Sequence, residues 1–445
     1  MKESRDLTQG NILAKLANLT WPMIIGMMAT VAFNLADTYF LGKVGLDELA
    51  AIGFTFPVVV FITGVALGLG IGTSSLISRI VKVHDKAELS LASTASLLLT
   101  LAPIVLLMTI GLLVINPLFS AMGAEGKTLE LINEYMKIWY WALPFIIIPM
   151  VGNNVIRGLG DTLTPGFIML VSAILNIFLD NLLIFGWNEI PALGMKGAAY
   201  ATFIARFASF ILAISILQFK EKIISFKFKN WNHIFGYWKK ILKITIPATL
   251  SFLVTPISLG LITKLISTYG KEAVAAFGIV SRVEMFAMIF INSLASVLII
   301  FAGQNISTNN ISRIKNALYK TSFLAIIWGI ALFVAAILFS NEIAAAFSTN
   351  AEVIEITSKY LLIISFSFGF QGVMVLSAAL FNGINKPIPS AIFVIVRMLA
   401  LYLPLAYLAS HLMGLYGIFW AAFIANIVVG FISFFWINKV LNKIL

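Results

Sequence analysis

No cysteine occurs among the 445 residues, so disulfides, thiol catalysis and thiolate metal sites are excluded. Histidine is nearly as scarce. His84, His233 and His411 lie far apart and form no metal-ligand spacing. Charge is scarce as well: 11% of the residues are charged, against about 25% in soluble domains. With 60% of the chain apolar, a water-soluble fold would expose large sticky patches. The composition fits a bilayer. No nucleophile–base pair and no filter-like loop stands out, so neither an enzyme nor a channel is expected, and no cofactor is expected either.

The formal net charge is +11, from 30 Lys+Arg against 19 Asp+Glu. The basic residues sit in short loops between apolar runs, a pattern that sets membrane orientation and does not require nucleic acid. Four of the first ten residues are charged. The apolar run after them continues through Trp21 and Pro22, too long for the core of a signal peptide, and reads as a first membrane span. A spanning helix needs about 20 mostly apolar residues. Twelve runs qualify, at roughly 14–41, 50–80, 90–116, 130–156, 163–187, 194–218, 241–268, 273–302, 317–340, 354–381, 388–411 and 414–438. Alternate loops are basic: one side carries Arg5, Arg79, Lys82, Lys86, Arg157, the lysines of 220–243, Arg313, Lys315, Lys386 and Lys443. The positive-inside rule then puts both termini in the cytoplasm of a multi-pass cell (inner) membrane protein.

The chain also repeats itself. G-L-D-E-L-A-A-I-G at 45–53 matches G-K-E-A-V-A-A-F-G at 270–278, an offset of 225 that also relates Pro22 to Pro247. L-G-M-K-G-A-A-Y-A-T-F-I-A at 193–205 matches M-G-L-Y-G-I-F-W-A-A-F-I-A at 413–425, an offset of 220. Two six-helix bundles are expected, residues 1–220 and 241–445, joined by a basic cytoplasmic linker at 221–240. An even span number per half relates them by a pseudo-two-fold axis along the membrane normal, an arrangement found in transporters.

An ionisable group at membrane depth costs about 2.5–3.5 kcal/mol on insertion scales and is a functional candidate by default. Asp37 is in the first span, with Asn34 three residues earlier. Asp180 is in the fifth, with Asn176 one turn earlier, and Thr202 is in the sixth. At about 1.5 Å per residue, Asp37, Asp180 and Thr202 fall in one layer roughly 6–12 Å below the outer boundary. Hard oxygen donors of this kind suit a proton or an alkali cation. If Na⁺ is the coupling ion, Asp37, Asn176, Asp180 and Thr202 are its expected ligands. Asn154, Arg282, Glu284 and Gln371 are further polar candidates for a cavity, and Arg206 is placed to snorkel or to neutralise an acid. Pro22 interrupts the first span and is a candidate hinge. The run G-L-G-I-G at 68–72 lies inside an apolar helix and reads as close helix packing.

Four stretches together resemble the multidrug and toxic compound extrusion (MATE) family: F-N-L-A-D-T-Y-F-L-G at 33–42, L-A-A-I-G at 49–53, R-G-L-G-D-T at 157–162 and N-I-F-L-D at 176–180. The resemblance implies an antiporter that exports cationic or amphipathic drugs in exchange for H⁺ or Na⁺, working as a monomer among membrane lipids. By resemblance, Asp37, Asn176, Asp180 and Thr202 are the ion-coupling residues, with the Ala198 carbonyl nearby, and Pro22 is a bending proline. Carboxylates that the family's NorM-type branch places in the seventh and tenth spans are missing, and Gln371 stands near the second of these positions. The chain therefore looks more like the DinF-type branch. The alternative is a lipid-linked oligosaccharide flippase of the same superfamily, which needs Arg157, Arg206, Arg282 and Arg397 to converge.

Overall fold

The computed structural model describes residues 5–188, 191–225 and 231–444. Its helices form twelve successive spans. These are α1 (Ile12–Val44), α2 (Leu46–Ile80), α3 (Lys86–Ala121), α4 (Gly126–Trp141 with Leu143–Gly158), α5 (Leu163–Phe185) and α6 (Gly194–Lys220). Then follow α7 (Trp231–Tyr269), α8 (Lys271–Ala287, resumed as Ile289–Ser307), α9 (Ile311–Ala345), α10 (Ala351–Gly383), α11 (Ile388–Met413) and α12 (Leu415–Ile444). Among the described residues eleven helices are long and apolar enough to cross a membrane, and the 47° bent pair of α4 makes twelve. Pro144 follows the break in α4, where a missing N–H and a fixed φ are tolerated. Each of the twelve apolar runs in the sequence falls on one of these helices.

Two compact units emerge, each with six spans. One comprises Arg5 and Asn18–Thr245, the other Asp6–Ala17 and Ile246–Leu445. Within the expected linker, 226–230 lie outside the described residues, and its described parts belong to the first unit. Trp238 Nε1 donates to Ala95 O at 2.8 Å and the Tyr237 hydroxyl to Glu88 at 2.8 Å. Two helices, α1 and α7, pass from one unit to the other, and each carries a proline soon after the passage: Pro22 follows Asn18, and Pro247 follows Ile246. α1 is helical on both sides of Pro22.

The chain's start is tied down on polar anchors. In the first unit Arg5 donates to Asp161 at 2.6 Å and to Glu221 at 2.7 and 2.9 Å. The hydrogen bond to Glu221, together with the charges of Glu221 and Asp161, raises the affinity of the guanidinium for its proton despite partial burial. In the second unit, Leu7 N–H donates to Gln304 at 3.1 Å, and Leu7 O accepts from Asn305 and Arg313 at 3.2 and 3.0 Å. The R-G-L-G-D-T stretch is the partner of Arg5. Gly160 has φ +88°, and a Cβ there would meet the Arg5 carbonyl at 2.6 Å. Asp161 also accepts from Thr164 N–H at 3.0 Å, satisfying an orphan donor in the first turn of α5.

Glycines set how closely the first-unit helices approach. A Cβ on Gly166 (α5) would lie 2.6 Å from Pro22 O on α1. One on Gly197 (α6) would strike the Leu183 and Ile184 backbone of α5. The 68–72 glycine run behaves the same way: Gly70 abuts the Asn154 amide, and Gly72 abuts Ile241 O and Thr245. Small residues at helix crossings are what membrane packing requires, because lipid offers no hydrophobic drive between helices.

Candidate ion-coupling site

In the first unit, α1, α5 and α6 bring the two acids together. Asp37 is 7% exposed and Asp180 fully buried, and their side chains are in hydrogen-bond contact. Asn176 lies one turn before Asp180 and is fully buried. In the amide orientation that turns its nitrogen toward the carboxylates, it donates to Asp37 Oδ1 at 3.1 Å and to Asp180 Oδ2 at 3.2 Å. Thr202, 3% exposed, faces the hydroxyl of Tyr135 from α4. Ala198 is buried one turn before Thr202, where its carbonyl accepts the Thr202 backbone N–H of the helix ladder. Arg206 lies one turn after Thr202. Its guanidinium stacks over Phe33 at 4.3 Å, and its charge acts on Asp37.

Not every sequence candidate joins this group. Asn34 is exposed although it precedes Asp37 by one turn, and its carbonyl accepts from Thr38 at 3.1 Å. Asn154 donates to Met150 O at 2.8 Å and fills the space left by Gly70, a packing role. Pro22 is buried beneath Gly166.

The second unit holds its own polar chain. Arg397 Nη1 donates to Asn426 Oδ1 at 3.0 Å. Asn426 Nδ2 donates to Gln371 Oε1 at 3.3 Å and to Ser367 at 3.0 Å, and Gln371 Nε2 donates to Glu284 Oε1 at 2.9 Å. Every amide uses both its ends, so a cation is linked to a carboxylate through two directed dipoles. Glu284, Gln371, Arg397 and Asn426, with Tyr360, Tyr402 and Phe277, line a small cavity of about 30 Å³. Arg282 is exposed and does not line it.

Tyr135, Phe33, Tyr360, Tyr402 and Asn426 were not among the sequence candidates, yet the internal repeat points to three of them. Tyr135 and Tyr360 are 225 apart, the offset of the glycine motif and the prolines. Arg206 and Asn426 each follow an F-I-A triplet and are 220 apart. Each unit thus puts a repeat-related tyrosine and a repeat-related polar group beside its acid. The charge count differs. The first cluster has two carboxylates and one guanidinium, the second one of each.

Twelve apolar spans among the described residues, in two units with buried acids inside the span region, define a multi-pass membrane protein. A model of the MatE family matches residues 22–182 and again 247–408, two matches whose starts are 225 residues apart. The chain belongs to the MatE family. It is 33% identical over 444 residues to an FAD transporter of Shewanella oneidensis, covering 100% of this chain and 98% of that protein. It is 25% identical over 436 residues to a probable multidrug resistance protein of Bacillus subtilis, covering 95% and 94%. Among solved structures, the Vibrio cholerae MATE transporter VcmN in its bent form superposes with a TM-score of 0.92 at 27% identity, covering 100% and 99%. A MOP superfamily transporter from Pyrococcus furiosus gives 0.93 at 28%, with the same coverage.

Proposed function

We propose that this transporter is an exporter driven by inward proton movement, with Asp37 and Asp180 binding the proton as a unit. The observation that carries the reading is the direct contact of two buried acids with an amide donating to both. Two ionised carboxylates cannot meet cheaply in a low-dielectric layer. One proton in their contact removes the repulsion and turns it into a hydrogen bond. Asn176 holds the pair, Thr202 and Tyr135 stand beside it, and Pro22 on α1 lets the loaded and unloaded states differ in helix shape. A substrate that prefers the unloaded state is released on proton binding, and the coupling is reciprocal in binding free energy. The second cluster, with its acid and arginine balanced, is read as the place for polar parts of an organic substrate. The halves 1–220 and 241–445, joined by 221–240, are the working units of a monomer with both termini in the cytoplasm.

For the substrate we keep two readings. Cationic or amphipathic drugs fit the multidrug resistance relatives. A flavin dinucleotide is favoured by one specific observation, the full-length 33% identity to an FAD transporter. Proteoliposomes loaded with FAD or with a cationic dye, under an imposed pH gradient and then an imposed Na⁺ gradient, test both points. Proton-driven movement of one cargo is expected. Movement only on the Na⁺ gradient would overturn the proton reading, and movement of neither cargo would overturn both substrate readings.

A further inference from the structure

We infer that Arg206 decides which ion the first-unit site accepts: its fixed charge beside the acid pair reserves that pair for a proton and keeps Na⁺ out. The inference rests on the reading of Asp37 and Asp180 as the coupling pair. Arg206 is placed by two elements. On α6 it follows Thr202 by one turn, and on α1 it covers Phe33, which precedes Asp37 by one turn and is 3% exposed. Among the described residues it forms no direct ion pair. The aromatic face holds it, a contact that strengthens where water is excluded, and its Nε is buried without a hydrogen-bond partner. The carboxylate oxygens are therefore not used up by the arginine. The groups facing Asp37 are Asp180 and Asn176 from α5, Tyr135 from α4 and Arg206 from α6.

This arrangement treats the two candidate ions differently. With two carboxylates and one guanidinium, the unloaded site carries one negative charge, which one proton cancels. The guanidinium repels both cations, by about 10–100-fold in affinity for a unit charge several ångströms away at an effective dielectric near 20. A proton needs only one oxygen and fits in the Asp37–Asp180 contact. Na⁺ needs several oxygens at once, and from the orientation in which Asn176 donates to both carboxylates the amide must turn over before it can offer its oxygen to Na⁺. The repulsion is common to both ions; a carboxylate pair binds a proton far more tightly than Na⁺, so the proton still binds against it while Na⁺, with its larger coordination demand, does not. Replacing Arg206 by a neutral side chain leaves two carboxylates with no built-in countercharge, and such a site attracts Na⁺.

The test uses purified full-length protein in detergent, with Na⁺ alone as the probe against K⁺ at matched ionic strength, read by tryptophan fluorescence and thermal unfolding. Wild type and Arg206→Lys should be indifferent to Na⁺. Arg206→Met, with Arg206→Gln as a second neutral variant, should gain a Na⁺-specific stabilisation that disappears when Asp37→Asn is added. The inference is overturned if wild type shows an Asp37-dependent Na⁺ response. It is also overturned if the folded neutral variants ignore Na⁺ while still responding to pH through Asp37, which would leave Arg206 as packing on Phe33. A pH response that survives Asp37→Asn would instead overturn the coupling-pair reading on which the inference stands.

Discussion

Gly197→Ala perturbs the candidate site without touching a polar group. A Cβ at this position of α6 would lie 2.5 Å from Leu183 C and 2.9 Å from Ile184 N, where ordinary contact begins at 3.4 Å. The atoms it meets are backbone and cannot rotate away. The α5–α6 pair must open by about 1 Å, and overpacking of this kind costs about 1–3 kcal/mol. Leu183 lies three residues from Asp180, or about 4.5 Å along the axis, so the opening falls beside the acid. Thr202 and Arg206 move with α6 while Asn176 and Asp180 stay together on α5. We expect Gly197→Ala to insert and fold, to melt earlier in detergent, and to lose at least tenfold in exchange rate in proteoliposomes, since misplacement of about 1 Å is enough to cost on the order of 100-fold in a preorganised site. Gly53→Ala is the control. Its Cβ meets nothing within 4 Å, so it should be neutral or stabilising by up to about 1 kcal/mol. A Gly197→Ala protein with wild-type melting and exchange would refute the claim that close α5–α6 approach builds the site.

Three further outcomes are expected. Gln371→Leu leaves Glu284 and Asn426 short of partners in the second cluster; it should destabilise by about 1–3 kcal/mol, and in a double-mutant cycle with Glu284→Gln the costs should overlap rather than add. Arg5→Gln removes charged hydrogen bonds to Asp161 and Glu221 and should cost about 1.5–3 kcal/mol in thermal unfolding. Because the affinity of Arg5 for its proton is raised, its side of the interaction is fully present below the ordinary guanidinium range and is lost only as pH rises through the raised value, so the deficit should be the same at neutral and mildly alkaline pH. Pro22→Ala should leave the protein folded but slow exchange by holding α1 in one shape; an unchanged exchange rate would reduce the proline to a static feature.

The membrane fold was legible because bilayer thickness writes itself into run length and loop charge, and all twelve runs fall on helices. The pairing of Asp37 with Asp180 was legible as a shared depth, since distance along a helix converts directly to ångströms. Which side of a helix turns inward was less legible. Asn34 and Asp37 are three residues apart, yet one is exposed and the other buried, because α1 follows the contacts of Gly26 and Gly166. Tyr135 was hidden by its setting, E-Y-M-K in a polar stretch that reads as interfacial. Its repeat partner Tyr360 was the available signal. Gln371 was legible as a polar cavity residue but its partners were not, and the fold uses its two-ended amide to connect Glu284 with Asn426.

On the proposed function, the Asp37–Asp180 pair carries the proton that drives export. The most direct measurement of this is uphill cargo movement by Asp37→Asn protein in proteoliposomes under an imposed pH gradient, with membrane levels quantified beside wild type. Asn keeps the size and one hydrogen-bonding oxygen but cannot bind the proton. The account predicts that normally inserted Asp37→Asn protein moves neither FAD nor the cationic dye uphill, and that adding Asp180→Asn changes nothing further, as residues acting as a unit are not additive. Uphill transport at the wild-type rate by well-inserted Asp37→Asn protein would contradict it.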